Sequence, residues 1–358
     1  MINYTFPIII SLFLVFISTP ITILLARRLK LLDDVTKRKH PANTHKGIIP
    51  RAGGLAIFVG IFIAAILFIE VNKIIFGVLL GASLIVLIGL IDDYLDLSPY
   101  LRFILNIIVV LIVIFFGLGI PYLTNPFGGV IRLDTFTIPI DFFGHHTFLL
   151  FANLFSLIWI VGMINFINWS SGVDGQMSGF VGISCFFLGI LAFRFTGHDI
   201  SSVQVALLAF ITGGAFLGFL PWNFYPQKIM PGYSGGALGG FMLGVLSILS
   251  WGKIGTLALV LSVPLVDAFY VIARRLRHRQ SPFRGDAGHF HHRLLEIGWG
   301  RRRIAVFYWL VSLMFGFGAL LFQREQKVLG ILIVTIMLAV FILIIEKVKV
   351  RVQQPPLS

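Results

Sequence analysis

Long apolar runs alternate with short polar segments along almost the whole chain. Eleven runs are long enough, at about 17–25 residues, to cross a lipid bilayer as helices, and several are short enough to be tilted or partly re-entrant. They cover residues 5–26, 52–69, 74–91, 103–120, 147–165, 176–193, 203–220, 235–250, 254–272, 304–322 and 328–346. Because a helix satisfies its own backbone groups in lipid, the pattern predicts an all-α polytopic membrane protein with about eleven transmembrane helices.

The basic residues between the runs predict which side of the membrane each segment faces. Cytoplasmic segments of membrane proteins carry an excess of Lys and Arg. With the N-terminus outside and the C-terminus in the cytoplasm, the cytoplasmic segments contain 22 of the 28 Lys and Arg residues. These segments are 27–51, 92–102, 165–176, 220–234, 273–303 and 347–358. We therefore expect a multi-pass protein of the cell (inner, cytoplasmic) membrane whose active-site loops face the cytoplasm.

Composition excludes several other classes of protein. Hydrophobic residues make up 58% and charged residues 12% of the 358 residues, which excludes a soluble or disordered chain. The single cysteine, Cys185, excludes a disulfide framework. In a membrane protein, a formal net charge of +13 indicates positive-inside loops and a phosphate-bearing substrate more than nucleic acid. We expect one integral membrane domain over residues 1–358 and no nucleic-acid partner.

One predicted outer segment, 121–146, has a different pattern. Residues 130–134 and 136–140 alternate in the manner of short strands. This alternation predicts a small β-hairpin near 128–140 on the outer surface, with a plain connector as the alternative.

Two adjacent carboxylates end the third apolar run. Asp92 and Asp93 repel each other at the end of an apolar helix unless a cation lies between them. The pair therefore predicts a divalent-metal site at the cytoplasmic face, and the alternative is an ordinary solvated helix end.

Two further polar segments are predicted to lie at the same face. Asn165, Asn168 and Asp174 end the fifth run together with two glycines, which suits unwound backbone lining a polar cavity, or a simple turn. Asn223 belongs to a second segment that continues into the glycine-rich residues 231–236, whose backbone N–H groups suit a phosphate. Small residues also mediate helix packing in lipid, so the glycines alone do not identify a site.

The segment that precedes the second run is another candidate. Residues 38–51 contain His45 and Arg51, and the second run begins at Gly53 and Gly54. The glycine pair offers a second candidate phosphate contact, whereas the basic residues alone fit the positive-inside pattern.

Histidine and arginine concentrate in the longest cytoplasmic segment, 273–303. His289, His291, His292 and Arg293 stand together there. Both residue types are suitable phosphate ligands. A zinc site is the alternative, although no cysteine lies nearby.

These five segments, in this order, resemble the polyprenyl-phosphate N-acetylhexosamine-1-phosphate transferase family, the group of MraY and WecA. The resemblance covers residues 38–303, and the span count, the cytoplasmic C-terminus and the His-x-His-His-Arg form are closer to the WecA-like branch. It implies transfer of a sugar 1-phosphate from a UDP-N-acetylhexosamine, such as UDP-GlcNAc, to polyprenyl (undecaprenyl) phosphate, with release of UMP, at the start of cell-envelope glycan synthesis. It further implies that the reaction requires Mg²⁺, with Mn²⁺ as the alternative ion. The partners it implies are membrane lipid and, as one option for the oligomeric state, a second copy of the chain in a homodimer.

The same resemblance implies roles for individual residues. The implied catalytic residues and metal ligands are Asp92, Asp93 and Asp174, and Asp286, which lies in the same loop as the histidines, is our own candidate for a further metal ligand. The implied substrate-binding residues are His45, Arg51, Asn165, Asn168, Asn223, His289, His291, His292 and Arg293.

The chain departs from the family pattern at two positions. Ser171 stands where most bacterial members have an Asp, and Tyr233 stands where the family has a magnesium-binding Asp. The alternative function is therefore a catalytically impaired member that binds polyprenyl phosphate or a nucleotide sugar. If the metal site is rebuilt instead, Asp286 or Asp267 is the expected replacement ligand. A secondary transporter is disfavoured, because transporters keep polar sites near the midplane and only Asp267 lies within a span.

Overall fold

The computed structural model describes residues 4–34, 47–125, 128–141, 145–195, 201–250, 254–281 and 288–353. The helices within these ranges are α1 (Thr5–Arg28), α2 (Gly53–Phe68), α3 (Lys73–Leu95), α4 (Pro99–Phe115), α5 (Leu150–Trp169), α6 (Gln176–Phe193), α7 (Ser201–Asn223), α8 (Gly232–Leu249), α9 (Ile254–Val260), α10 (Ser262–Arg277), α11 (Phe290–Glu296), α12 (Arg301–Leu321) and α13 (Arg324–Gln353). The strands are β1 (Leu32–Asp34), β2 (Ile48–Pro50), β3 (Tyr122–Thr124), β4 (Val130–Arg132), β5 (Thr137–Asp141) and β6 (His145–Leu149). The protein is therefore mostly helical, as the apolar runs predict.

Eight helices in the described ranges are long and apolar enough to cross a membrane. They are α1, α3, α5, α6, α7, α8, α12 and α13, and α9 with α10 would make a ninth if this bent pair forms one span. The apolar helices α2 and α4 have only 16 and 17 residues. Each of the eleven predicted runs contains a helix, and eight or nine of them pass the test of length and composition for a membrane span. The count of eleven transmembrane helices stays a prediction.

The ninth predicted run is bent. α9 ends at Val260, α10 begins at Ser262, and the two helices are inclined by 87°. Pro264 lies in the first turn of α10, where a proline is tolerated because it has no N–H to donate to the preceding turn. The apolar pattern predicted a single run over 254–272 and did not locate the break, because Val260 and Leu261 are as apolar as their neighbours.

The segment between α4 and α5 contains strands, but they pair differently from the expected hairpin near 128–140. β4 pairs antiparallel with β3, and β5 pairs antiparallel with β6. The expected hairpin would have joined residues 130–134 to residues 136–140. Gly128 and Gly129, with φ of 122° and 74°, precede β4 and turn the chain back onto β3. Alternation thus located the strands but not their partners.

Helix α8 lies at the centre of the bundle. Within their candidate spans, 89% of α8 and 78% of both α6 and α7 are buried, against 22% of α1 and α13. Close packing depends on glycine: a Cβ on Gly240 of α8 would overlap the backbone of Met163 and Ile164 in α5. Small residues at such contacts let helix backbones approach closely in lipid. Contacts that fix the position of α8 therefore also fix the positions of the helices that pack against it.

Gly240→Ala should destabilise the protein by about 1–3 kcal/mol, because the added methyl group forces α5 and α8 apart. The measurement is the thermal unfolding midpoint of the detergent-solubilised protein. Gly255→Ala is the matched control, since a Cβ on Gly255 meets nothing within 4 Å. Equal midpoints for the two variants would contradict this packing.

Candidate active site

The carboxylate of Asp93, at the end of α3, binds the beginning of α8. Its Oδ1 accepts a hydrogen bond from the backbone N–H of Tyr233 (2.8 Å) and forms an ion pair with Arg51, whose Nε lies 2.9 Å away. Its Oδ2 accepts from the backbone N–H (3.3 Å) and the hydroxyl (2.9 Å) of Ser234. Three hydrogen-bond donors and the guanidinium of Arg51 surround a carboxylate that has roughly four acceptor positions. Asp93 therefore satisfies the free N–H groups of a helix that it does not belong to.

Backbone contacts bring Arg51 to this carboxylate. The segment before α2 runs parallel to the segment before α8: Met230 N donates to Pro50 O (2.8 Å), and Gly53 N donates to Met230 O (3.0 Å). A Cβ on Gly54 would overlap the first turn of α8, so only glycine lets the two helices begin side by side. Two helix N-termini, both electropositive, therefore adjoin the carboxylates at the end of α3.

Asp92 has a separate set of partners. Its Oδ1 accepts from the backbone N–H of Leu97 (3.0 Å), and its Oδ2 lies 3.4 Å from Nη1 of Arg102 and 3.9 Å from Nη2 of Arg51. Its side chain is fully buried. Two arginines from different elements thus offset the repulsion between the adjacent carboxylates, as a cation was expected to do.

Tyr233, the residue that departs from the family pattern, is buried between α8 and α4. Its backbone N–H donates to Asp93, while its hydroxyl accepts a hydrogen bond from Nδ2 of Asn106 (2.8 Å). The guanidinium of Arg102 lies 5.2 Å from the centre of the tyrosine ring. Tyr233 therefore holds α4 and Arg102 in place.

The side chains around Asp93 do not fit a resident magnesium ion as arranged. Magnesium requires near-octahedral oxygen ligands, and the oxygens of Asp93 are already bound by protein donors. No group of three His, Cys, Asp or Glu side chains suited to a metal occurs among the described residues. Asp286 and His45 lie outside the described residues. The metal-ligand set Asp92, Asp93, Asp174 and Asp286 stays a prediction.

Asn223 joins two of the predicted polar segments. Its Oδ1 accepts from the backbone N–H of Gly175 (3.2 Å) and the hydroxyl of Ser178 (2.9 Å). Its Nδ2 donates to Oε1 of Gln227 (3.0 Å) and to the carbonyl of Ile229 (3.2 Å). These four bonds use the full capacity of the buried amide. The predicted substrate contact of Asn223 stays a prediction, and the geometry gives this side chain a role in fixing both loops.

The predicted residues Asn165 and Asn168 lie near the end of α5. Nδ2 of Asn165 donates to the carbonyl of Val161 (2.8 Å), one turn earlier. A Cβ on Gly236 of α8 would overlap the side chain of Asn168. The hydroxyl of Ser171, the other departure from the family pattern, donates to the carbonyl of Asn168 (2.6 Å). Ser171 therefore supports the local turn.

A cavity of about 730 Å³ opens beside Asp174. Oδ2 of Asp174 accepts from the backbone N–H of Gln227 (3.3 Å) and lies 3.8 Å from Nη1 of Arg301. The guanidinium groups of Arg301 and Arg302 stand 5.4 and 5.6 Å from the ring centre of Tyr225. The polar and aromatic side chains that line this cavity are Asp174, Tyr225, Gln227, Trp299, Arg301 and Arg302. Aromatic faces, two cations and an amide make it suitable for an anionic ligand with a planar ring.

The histidine segment is buried and packs against the loop after α5. His289, His291, His292 and Arg293 are each at most 7% exposed. A Cβ on Gly172 would overlap Nε2 of His291, so the ring lies directly on this loop. Burial, reinforced by His292 and His289, holds the pKa of His291 well below its usual value. His291 is therefore uncharged at neutral pH.

Contacts between neighbouring segments connect these parts into one region at one end of the bundle. Arg51 and Asp93 meet the start of α8, Asn168 adjoins Gly236, and Gly172 adjoins His291. Sequence reasoning gave no site role to Arg102, Asn106 or Gln227, and it gave Arg301 a role only as one of nine basic residues of 273–303 that could neutralise phosphate charge. Arg102 is the sole basic residue of 92–102, directly after the aspartate pair, which is a signal that could have identified it.

Asp93→Asn should cost about 3–5 kcal/mol of stability, because it leaves Arg51 without its charged partner and weakens the bonds to α8. The thermal unfolding midpoint, compared with that of wild type, measures this loss. Asp96→Asn is the control, since Asp96 is exposed and its φ of 52° suits asparagine. If Asp93→Asn unfolds at the wild-type temperature, the stabilising role of the Asp93 contacts with α8 and Arg51 is refuted.

Comparison with known proteins gives the chain its family. Residues 75–251 match the family model described as glycosyl transferase family 4. A protein of Bacillus subtilis (strain 168) named probable undecaprenyl-phosphate N-acetylglucosaminyl 1-phosphate transferase is 30% identical, over 97% of this chain and 92% of its own length. Decaprenyl-phosphate N-acetylglucosaminephosphotransferase of Mycolicibacterium smegmatis is 30% identical over 87% of this chain and 82% of its own length. The phospho-N-acetylmuramoyl-pentapeptide-transferase of Staphylococcus epidermidis is 29% identical, over 86% of this chain and 95% of its own length. Similarity along almost the entire length of such relatives means that the chain belongs to the polyprenyl-phosphate N-acetylhexosamine-1-phosphate transferase family, the group of MraY and WecA, as the resemblance predicted.

Proposed function

We propose that the protein transfers N-acetylhexosamine 1-phosphate from a UDP-sugar to a polyprenyl phosphate and releases UMP. The observation that carries the proposal is the convergence of the predicted polar segments at one end of an apolar bundle, beside a cavity with two arginines. The chain is similar over 97% of its length to a relative named for this transfer with N-acetylglucosamine. The reaction would begin a cell-envelope glycan.

The chemistry places specific demands on the site. An oxygen of the acceptor phosphate attacks the sugar-bearing phosphorus of the donor, and the bond from that phosphorus to the oxygen of UMP breaks, with UMP keeping the electron pair. A phosphate monoester has a second pKa of about 6, so the acceptor is mostly ionised at neutral pH and needs no strong base. The two anionic reactants repel each other, so positive charge is the principal requirement.

The structure holds positive charge at several points of this region. Arg301 and Arg302 line the cavity, where Tyr225 and Trp299 offer aromatic surfaces for a nucleotide base. Arg51 and Arg102 are oriented by the buried aspartates, so their positions are set before substrate binds. We assign the nucleotide end of the donor to the cavity. The acceptor phosphate approaches from the arginines at the start of α2 and α4.

The placement of the protein in the membrane concerns its lipid-facing helices, the side that the site faces and the membrane it occupies. Exposed apolar faces on α1, α3, α12 and α13 suit contact with lipid tails. We propose that the site faces the cytoplasm, where the basic segments are expected and where nucleotide sugars would be supplied. The cell (inner) membrane is the proposed location, and a homodimer forms no part of the proposal.

A second candidate function is favoured by Tyr233. Its side chain is directed to Asn106, and the described residues contain no group of three His, Cys, Asp or Glu side chains suited to a metal ion. A member impaired in catalysis would bind polyprenyl phosphate or nucleotide sugar without releasing UMP.

UMP release from UDP-GlcNAc by the protein in lipid nanodiscs containing undecaprenyl phosphate separates these two functions. We expect release that depends on the acceptor lipid and is lost in Asp174→Asn, whose cavity carboxylate is removed. Asp134→Asn is the control, because Asp134 pairs with Arg132 away from this region. Binding of UDP-GlcNAc without UMP release would support the impaired member instead.

Divalent cation is expected to act with the diphosphate donor and to have no effect on the donor-free protein. Chelation should abolish UMP release and Mg²⁺ or Mn²⁺ should restore it. The thermal unfolding midpoint without donor should not change with Mg²⁺, because Arg51 and Arg102 already neutralise the aspartate pair. Stabilisation of the donor-free protein by millimolar Mg²⁺, absent in Asp93→Asn, would instead reveal a resident ion.

A further inference from the structure

Asp267 is a buried carboxylate of α10 that holds the start of the histidine segment. It is 3% exposed, and both of its oxygens have partners from residues more than twenty positions later. Oδ1 accepts from the backbone N–H of Phe290 (2.7 Å), and Oδ2 lies 2.9 Å from Nδ1 of His289. These bonds oppose the earlier expectation of Asp267 as a replacement metal ligand.

The contact with His289 determines where the ring carries its proton. An ionised carboxylate only accepts hydrogen bonds, so the proton in the 2.9 Å contact belongs to Nδ1 of His289. The other ring nitrogen, Nε2, is then the one left for a substrate. If Nε2 is protonated as well, Asp267 neutralises the resulting imidazolium.

The same carboxylate orients the rest of the segment. The ring of His289 lies parallel to that of His291, with an interplanar angle of 4° and centroids 5.7 Å apart. Nε of Arg293 donates to the carbonyl of Gly288 (3.2 Å), next to His289 in the chain. A shift of His289 would therefore displace both neighbours that are predicted to contact phosphate.

We propose that Asp267 is a positioning residue: it accepts the Nδ1–H of His289 and orients the ring so that its imidazolium form presents Nε2–H as the donor to a phosphate oxygen of the UDP-sugar. The inference rests on the proposed function for the identity of the ligand. A protonated His289 backed by Asp267 makes a charge-assisted bond, which is roughly twice as strong as a neutral one. That bond strengthens as charge develops on the transferred phosphoryl group.

Asp267→Asn separates positioning of the ring from support of the fold. Its side-chain oxygen still accepts from Phe290 N, but its amide donates to Nδ1 and moves the proton of His289 to Nε2. We expect the thermal midpoint to stay near wild type. The kcat for UMP release should fall about tenfold or more, with a smaller change in donor KM, because the lost contact matters most in the transition state.

His289→Asn is the paired variant, because its amide keeps a donor for Asp267 but has no second ring nitrogen. It should lose as much kcat as Asp267→Asn, and the double variant should lose no more than either single one, since both act through Nε2. Asp134→Asn, the same chemical change at an exposed carboxylate, should leave kcat and KM unchanged.

Nitrogen-15 NMR of histidine-labelled protein provides a readout that does not depend on activity. The His289 signals, identified by their absence in His289→Asn, should show a proton on Nδ1 in wild type and on Nε2 alone in Asp267→Asn. A wild-type His289 without a proton on Nδ1 overturns the proposal, even if Asp267→Asn fails to fold.

The kinetic outcomes distinguish this inference from the proposed function. An active wild type with unchanged kcat in Asp267→Asn overturns the role of Asp267 alone. A wild type that releases no UMP overturns the proposed function, while the NMR measurement still decides how Asp267 and His289 pair.

Discussion

The bonding of the Asp93 carboxylate is the constraint on which the rest of the region depends. A buried carboxylate is costly unless protein donors replace its water. Asp93 obtains those donors from the first turn of α8 and from Arg51, which precedes α2. One side chain of α3 therefore ties the starts of two other helices to its own end. Because α8 is the most buried candidate span, the position of this turn is transmitted to the whole bundle.

This arrangement gives a physical reason for placing phosphate chemistry here. Two helix starts add positive potential, and the aspartate pair balances the charge of two arginines while holding their guanidinium groups in fixed directions. Anionic substrates would meet cations that need no rearrangement, which is the most effective way for a site to stabilise developing charge. Tyr233 contributes to this arrangement in two ways: its ring packs against the guanidinium of Arg102, and its backbone N–H donates to Asp93.

The sequence predicted the helices well because each apolar run is a local feature, whose length and hydrophobicity are sufficient. It also located the polar segments, since residues such as Asp92 and His289 would be costly within lipid unless they line a site. Contacts between residues that lie far apart in the sequence could not be predicted. Nothing local indicates that Asn106 meets Tyr233, that Asp267 meets His289, or that β4 pairs with β3. The position of the bend between α9 and α10 was not predicted, because the residues at the break, Val260 and Leu261, continue the apolar run.

The central claim is that the cavity beside Asp174 receives the nucleotide end of the donor, and photo-crosslinking with an azido-UDP probe tests it most directly. After irradiation of the protein in nanodiscs, the modified peptides are mapped by mass spectrometry with and without excess UDP. The account predicts labelling at Tyr225–Gln227 or Trp299–Arg302 that excess UDP suppresses. Labelling confined to the strand-containing segment 121–149, or labelling that excess UDP leaves unchanged, would contradict it.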